Sequence, residues 1–184
     1  MVESGYHTDV WLTLDTLFVD RIRIAPLIRA LADRIRPHAI SAVCGPETGG
    51  AVLAQHLATA LGVDFLYTRP RSAPKVPGLF KAEYELPADL KSRAGGQRVA
   101  VVDDVISAGS SVRATVAALT TAGAATVVVA ALLILGDAAI THFGDEGVAV
   151  ETLERREFVL WTPAECPLCR ASAPLEDPRK ANER

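Results

Sequence analysis

The run ATVVVAALLIL, Ala125–Leu135, constrains the fold more than any other part of this chain. A strand with one face in water alternates apolar and polar side chains, whereas a run that is apolar at nearly every position must be covered on both faces. Such a strand belongs in the middle of a parallel sheet with helices on either side. Extended by Ala124, it is still too short to cross a bilayer.

The flanking pattern points the same way. Ile24, Leu27, Ile28, Leu31 and Ile35 recur at helical spacing until Pro37 closes the segment. Strands are expected at residues 40–44, 63–67 and 98–102, and helices at 51–61, 110–122 and 137–143. Residues 45–50 read as a turn, and 69–78 as a loop broken by Pro70, Pro74, Pro77 and Gly78. Residues 82–86 fit a short antiparallel strand, with 87–96 leading back to the sheet. The alternation predicts an α/β fold, an open parallel sheet flanked by helices, as a single domain over residues 1–184. Residues 163–184 form a C-terminal tail.

Charge narrows the partners. A formal net charge of −3 gives no basic excess to attract nucleic acid or an anionic membrane, so an anionic ligand needs a local site. The start, MVESGYHTDVW, has no basic region followed by an apolar stretch, and a cytoplasmic protein is expected. Three cysteines do not suit a disulfide framework.

Chemistry concentrates in VAVVDDVISAGSSV, residues 99–112. Asp103 and Asp104 are expected at the carboxyl end of a strand, where open parallel sheets bind ligands. Ser107, Ala108, Gly109, Ser110 and Ser111 then turn into a helix. Backbone N–H groups at a helix start favour phosphate, Gly109 permits close approach, and the serines add hydroxyl donors. Carboxylates beside a phosphate cradle make sense for a ligand with a phosphate at one end and a diol at the other. A ribose 5-phosphate meets both demands.

This stretch resembles the signature of type I phosphoribosyltransferases, which bind phosphoribosyl pyrophosphate (PRPP). The resemblance implies that Asp103 and Asp104 are the catalytic acidic pair and that residues 107–111 hold the 5-phosphate. It implies Mg²⁺ carried with PRPP near the acids, a nitrogenous base as second substrate, and a homodimer. CGPETGG, residues 44–50, resembles the family's pyrophosphate loop, which assigns Glu47, Thr48, Gly49 and Gly50 to pyrophosphate. Arg69, Arg71 and Lys75, on a long Pro-rich segment, are further cations for that group. Ser4, Gly5, His7, Thr8, Trp11 and Asp15 resemble the opening of orotate phosphoribosyltransferases, where residues 1–20 would form a hood and His7 would approach the base.

Departures bear on the base. Glu3 stands where orotate enzymes usually carry Lys, and residues 69–78 lack a Lys-x-His-Gly element. Gly136 and Asp137 follow the strand after which those enzymes place an Arg. Asp137 therefore suits a base presenting N–H donors, or is simply an acid at a helix start. Cys166 and Cys169 form one C-x-x-C, which is either half of a structural zinc site, to be completed by a second subunit or by Cys44 and a histidine, or simply two thiols near a tail. The reading is transfer of a 5-phosphoribosyl group from PRPP to a base. The alternatives are a PRPP-binding regulator without turnover and a zinc-stapled interaction protein.

Overall fold

A computed structural model describes residues 7–10, 12, 14–71, 83–159 and 161–174. The short helix α1 (Asp15–Val19) leads into α2 (Arg21–Ile35), whose start is capped by the Asp20 carboxylate accepting from the N–H groups of Ile22 and Arg23. There follow β1 (Ala42–Pro46), α3 (Gly49–Leu61), β2 (Asp64–Pro70), β3 (Tyr84–Glu85) and α4 (Ala88–Ala94). The chain continues through β4 (Arg98–Ile106), α5 (Ser110–Thr121), β5 (Ala125–Leu135), α6 (Ala138–Asp145), β6 (Ala149–Arg156) and α7 (Pro167–Arg170).

The strands form one six-stranded sheet in the order β3-β2-β1-β4-β5-β6. All neighbouring pairs are parallel except β2 with the short edge strand β3. Strand alternation splits the core into two layers. Ala42, Cys44, Val99, Val101, Val129 and Ala131 pack with Val112 and Leu119 of α5 and Phe143 of α6. Val43, Ala100, Val102, Val128 and Ala130 pack instead with α2 and α3, through Leu31, Ile35, Leu53 and Leu57. The all-apolar β5 lies between β4 and β6, as a strand covered on both faces requires.

Several boundaries differ from the sequence expectation. β1 begins at Ala42 rather than residue 40, because a 3₁₀ turn (Arg36–His38) and the left-handed Ala39 (φ 51°) carry the chain into the sheet. β4 runs past residue 102 to Ile106, since β5 stays paired with it as far as Ile134. Asp103 and Asp104 thus lie within the strand, not beyond its tip. Residues 87–96 contain the helix α4 rather than plain connecting chain. Gly49 and Gly50, expected in a turn, already form the first turn of α3. The edge strand β6 was not anticipated at all. Among the described residues no helix is long and apolar enough to cross a membrane.

Candidate active site

The strand order reverses between β1 and β4: chain after β1 goes to β2 on one side, and chain after β4 goes to β5 on the other. Connections that leave in opposite directions open a crevice at the carboxyl ends of the two strands. Pairing of β1 with β4 ends at Cys44 and Val101, while β4 continues beside β5. Asp103 and Asp104 therefore stand just beyond the last β1 partner, facing the turn that leaves β1.

That turn is built around the acids. Glu47 donates its N–H to the Thr68 carbonyl (2.8 Å), and the Glu47–Thr48 peptide is cis. A Cβ on Gly49 would stand 2.7 Å from Asp104 Oδ2, and one on Gly50 would stand 2.8 Å from Asp103 Oδ1 and 2.9 Å from the Val102 carbonyl oxygen. Only glycine lets the first turn of α3 come this close to the pair. The helix start also brings N–H groups that lack intrahelical acceptors, as at any helix N-terminus.

Asp103 is buried (8% exposed), with Ser111 Oγ donating to its Oδ2 at 3.0 Å and the Asp104 N–H donating to its Oδ1 at 3.1 Å. The Val105 N–H donates to Asp104 Oδ1 at 2.9 Å. Burial, and after it the neighbouring Asp104 charge, raises the Asp103 carboxyl well above the ordinary carboxylate range, although Ser111 pulls the other way. A raised acid binds its proton more readily in the folded chain than in the unfolded one. Its contribution to stability is complete below the unfolded value of about 3.9 and is lost as pH rises through the folded pKa. The urea midpoint of Asp103→Asn relative to the parent protein is therefore expected to increase with pH across that window. A pH-independent difference would refute this.

On the other side of the acids, Gly109 adopts φ 76° as the N-cap of α5. Ser107, Ala108, Gly109, Ser110 and Ser111 thus form the turn at the α5 N-terminus, with Ser111 tied directly to the acidic pair. One corner holds the acids, the Gly49–Gly50 turn and the serine loop.

The remaining sequence candidates are distributed as follows. Arg69, near the end of β2, reaches Glu85 Oε1 through Nε (3.2 Å) and Nη2 (3.0 Å). Arg71 follows β2 and donates its backbone N–H to the Glu83 carbonyl. Lys75 lies outside the described residues. Asp137 is the N-cap residue of α6 and is ion-paired with Arg155 of β6. His7 is buried (5% exposed), forms an antiparallel bridge with Trp161, and places Nδ1 3.2 Å from Cys169 Sγ. Cys44 is fully enclosed in the core, where burial pushes its thiol up to about 12. It does not join the other two cysteines.

Sequence reasoning missed Arg155 because β6 was missed. The available signal was weak: Val148 and Val150 pack toward one core layer and Ala149 and Leu153 toward the other, an alternation interrupted by charged residues.

The phosphoribosyl transferase domain family matches residues 19–162, which include every strand of the sheet. The chain belongs to the phosphoribosyltransferase family. It is an enzyme that passes a 5-phosphoribosyl group from PRPP to a nitrogenous base with release of pyrophosphate. Among its relatives, an orotate phosphoribosyltransferase of Pelotomaculum thermopropionicum is 32% identical, over 83% of this chain and 73% of that one. Another from Caldanaerobacter subterraneus subsp. tengcongensis is 28% identical, over 97% of this chain and 86% of its own. The crystal structure of orotate phosphoribosyltransferase from Aeropyrum pernix superposes with a TM-score of 0.65 at 25% identity, covering 84% of this phosphoribosyltransferase and 83% of that chain.

Proposed function

We propose that the base is orotate, and that transfer takes place at the corner between β1 and β4. The observation that carries the site is the contact of the acidic pair with both the Gly49–Gly50 turn and, through Ser111, the serine loop. In this reading the loop and the α5 N-terminus hold the 5-phosphate, and Asp103 and Asp104 accept from the ribose hydroxyls. Residues 47–50 and the cations Arg69 and Arg71 face pyrophosphate. Breaking the anomeric C–O bond builds positive charge on the sugar, which nearby carboxylates favour. No protein nucleophile is required, so the chain acts by positioning and electrostatics.

Adjacent carboxylates supply the oxygen donors that a hard divalent cation takes. Mg²⁺ carried with PRPP would lie near Asp103 and Asp104 and, when bound, neutralise the charge of the departing pyrophosphate. A homodimer in the cytoplasm completes the reading.

Support for orotate comes from the relatives named for it and from Arg155. The sequence offered only Gly136 and Asp137 after β5, but β6 brings a guanidinium to the same end of the sheet. Orotate carries a carboxylate that Arg155 suits, and Asp137 then orients that guanidinium rather than accepting from the base. His7, whose Nδ1 lies 3.2 Å from Cys169 Sγ, is given no role at the base in this reading.

A pyrophosphate-release assay with PRPP, Mg²⁺ and a panel of orotate, uracil, adenine, hypoxanthine, guanine and xanthine tests this. Release is expected with orotate, and Arg155→Ala should raise the orotate KM about tenfold, roughly the loss of one charge-assisted contact. Release with a purine alone would reject orotate. PRPP binding by calorimetry without release for any base would favour a regulator, and no PRPP binding would refute the site.

A further inference from the structure

Outside the corner just described, one other cluster of chemistry-bearing side chains stands out among the described residues. His7, Cys166 and Cys169 each offer a ligand atom, and these atoms lie within 4.8 Å of one another. Backbone structure brings them together from opposite ends of the sequence. The bridge between His7 and Trp161, closed by N–H···O bonds of 2.9 Å in both directions, docks the N-terminal segment onto chain that follows β6. Cys166 then caps the single-turn helix α7, and the three-residue spacing returns Cys169 to the same side.

We propose that His7, Cys166 and Cys169 bind one zinc ion within a single chain. Tetrahedral zinc takes thiolate sulfur at about 2.3 Å and imidazole nitrogen at about 2.0–2.1 Å, which sets ligand atoms roughly 3.5–3.8 Å apart. The ligand atoms, none more than 4.8 Å from another, need only side-chain adjustments to reach that, and the Cys169 Sγ–His7 Nδ1 separation of 3.2 Å has to open slightly. A mixed thiolate and imidazole set suits zinc better than magnesium or calcium, which prefer oxygen. His7 and Cys166 are almost fully enclosed, at 5% and 1% exposure, whereas Cys169 is exposed. The fourth position therefore opens toward solvent on the Cys169 side and takes water. The ion fastens the segment around residue 7 to the segment 161–170, reinforcing the backbone bridge between His7 and Trp161. This site replaces the completion by Cys44 or by a second subunit's cysteines, and it does not rest on the transferase reading.

The test uses the full chain, reduced and stripped of metal, titrated with Zn²⁺ and separately with Co²⁺. One equivalent per chain is expected, with a thiolate-to-cobalt charge-transfer band. His7→Ala and Cys169→Ser should each weaken zinc binding by more than about 100-fold, beyond what losing a supporting hydrogen bond brings. Cys44→Ala should leave it unchanged. X-ray absorption on the unaltered zinc protein, which needs no variant to fold, should give two sulfur ligands and one imidazole. Four sulfurs, zinc retained after His7→Ala, or no stoichiometric zinc would each overturn the proposal.

Discussion

Asp104→Asn is expected to lower kcat/KM for phosphoribosyl transfer by about two orders of magnitude while leaving the fold intact. A carboxylate accepting from ribose hydroxyls makes charge-assisted bonds of about 1.5–3 kcal/mol each, and losing about 3 kcal/mol corresponds to about 100-fold. The stability of the variant should hold for a different reason. Asn keeps an oxygen to accept from the Val105 N–H, and the substitution removes a negative charge beside the buried Asp103. Steady-state kinetics with PRPP, run alongside urea denaturation, would separate the two effects. Activity within a few fold of the parent protein would remove Asp104 from the ribose site.

Among the described glycines, Gly45→Ala carries the largest expected stability effect. Its Cβ would stand 2.0 Å from the Gly50 carbonyl oxygen, 2.2 Å from the Gly50 carbonyl carbon and 2.8 Å from the Ala51 nitrogen. All of these are backbone atoms in the first turn of α3, so no side-chain rotation relieves the overlap. Either β1 or the start of α3 has to move, and β1 lies at the centre of the sheet. A loss of at least about 3 kcal/mol is expected, a large part of the 5–15 kcal/mol typical of a domain. That corresponds to a fall in Tm of roughly 6–12 °C for a chain of this size.

Gly49→Ala provides the contrast. The three atoms nearest its Cβ all belong to the Asp104 carboxylate, at 2.7 to 2.9 Å, and that group turns away at the expense of its position in the site. It should therefore lose more activity than stability, whereas Gly45→Ala loses stability first. Thermal denaturation and transfer assays on both variants distinguish the two. Equal losses in stability would mean that the corner relaxes as a unit.

What the sequence determined by itself was local chemistry. The apolar run of β5 required a strand covered on both faces, and its bounds agree with the structure residue for residue. Periodicity gave α2, and the small-residue turn before Ser110 gave the start of α5, because the φ of Gly109 and the serine hydroxyls act within a few residues. The acidic pair was legible for the same reason, and with it the family. Its position inside β4 was not, because the strand's length depends on how far β5 stays paired.

Tertiary structure decided whatever depends on distant segments meeting. Strand β6 is half-buried and charged at an edge, so its pattern is too mixed to read until β5 supplies a partner. Arg155 reaches Asp137 only through that pairing. The approach of Gly49 and Gly50 to the two aspartates follows from the strand-order reversal between β1 and β4, which no turn signal encodes. His7 and Cys169 are 162 positions apart in sequence, and the backbone bridge between His7 and Trp161, a tertiary pairing, accompanies the approach of imidazole and thiol to 3.2 Å.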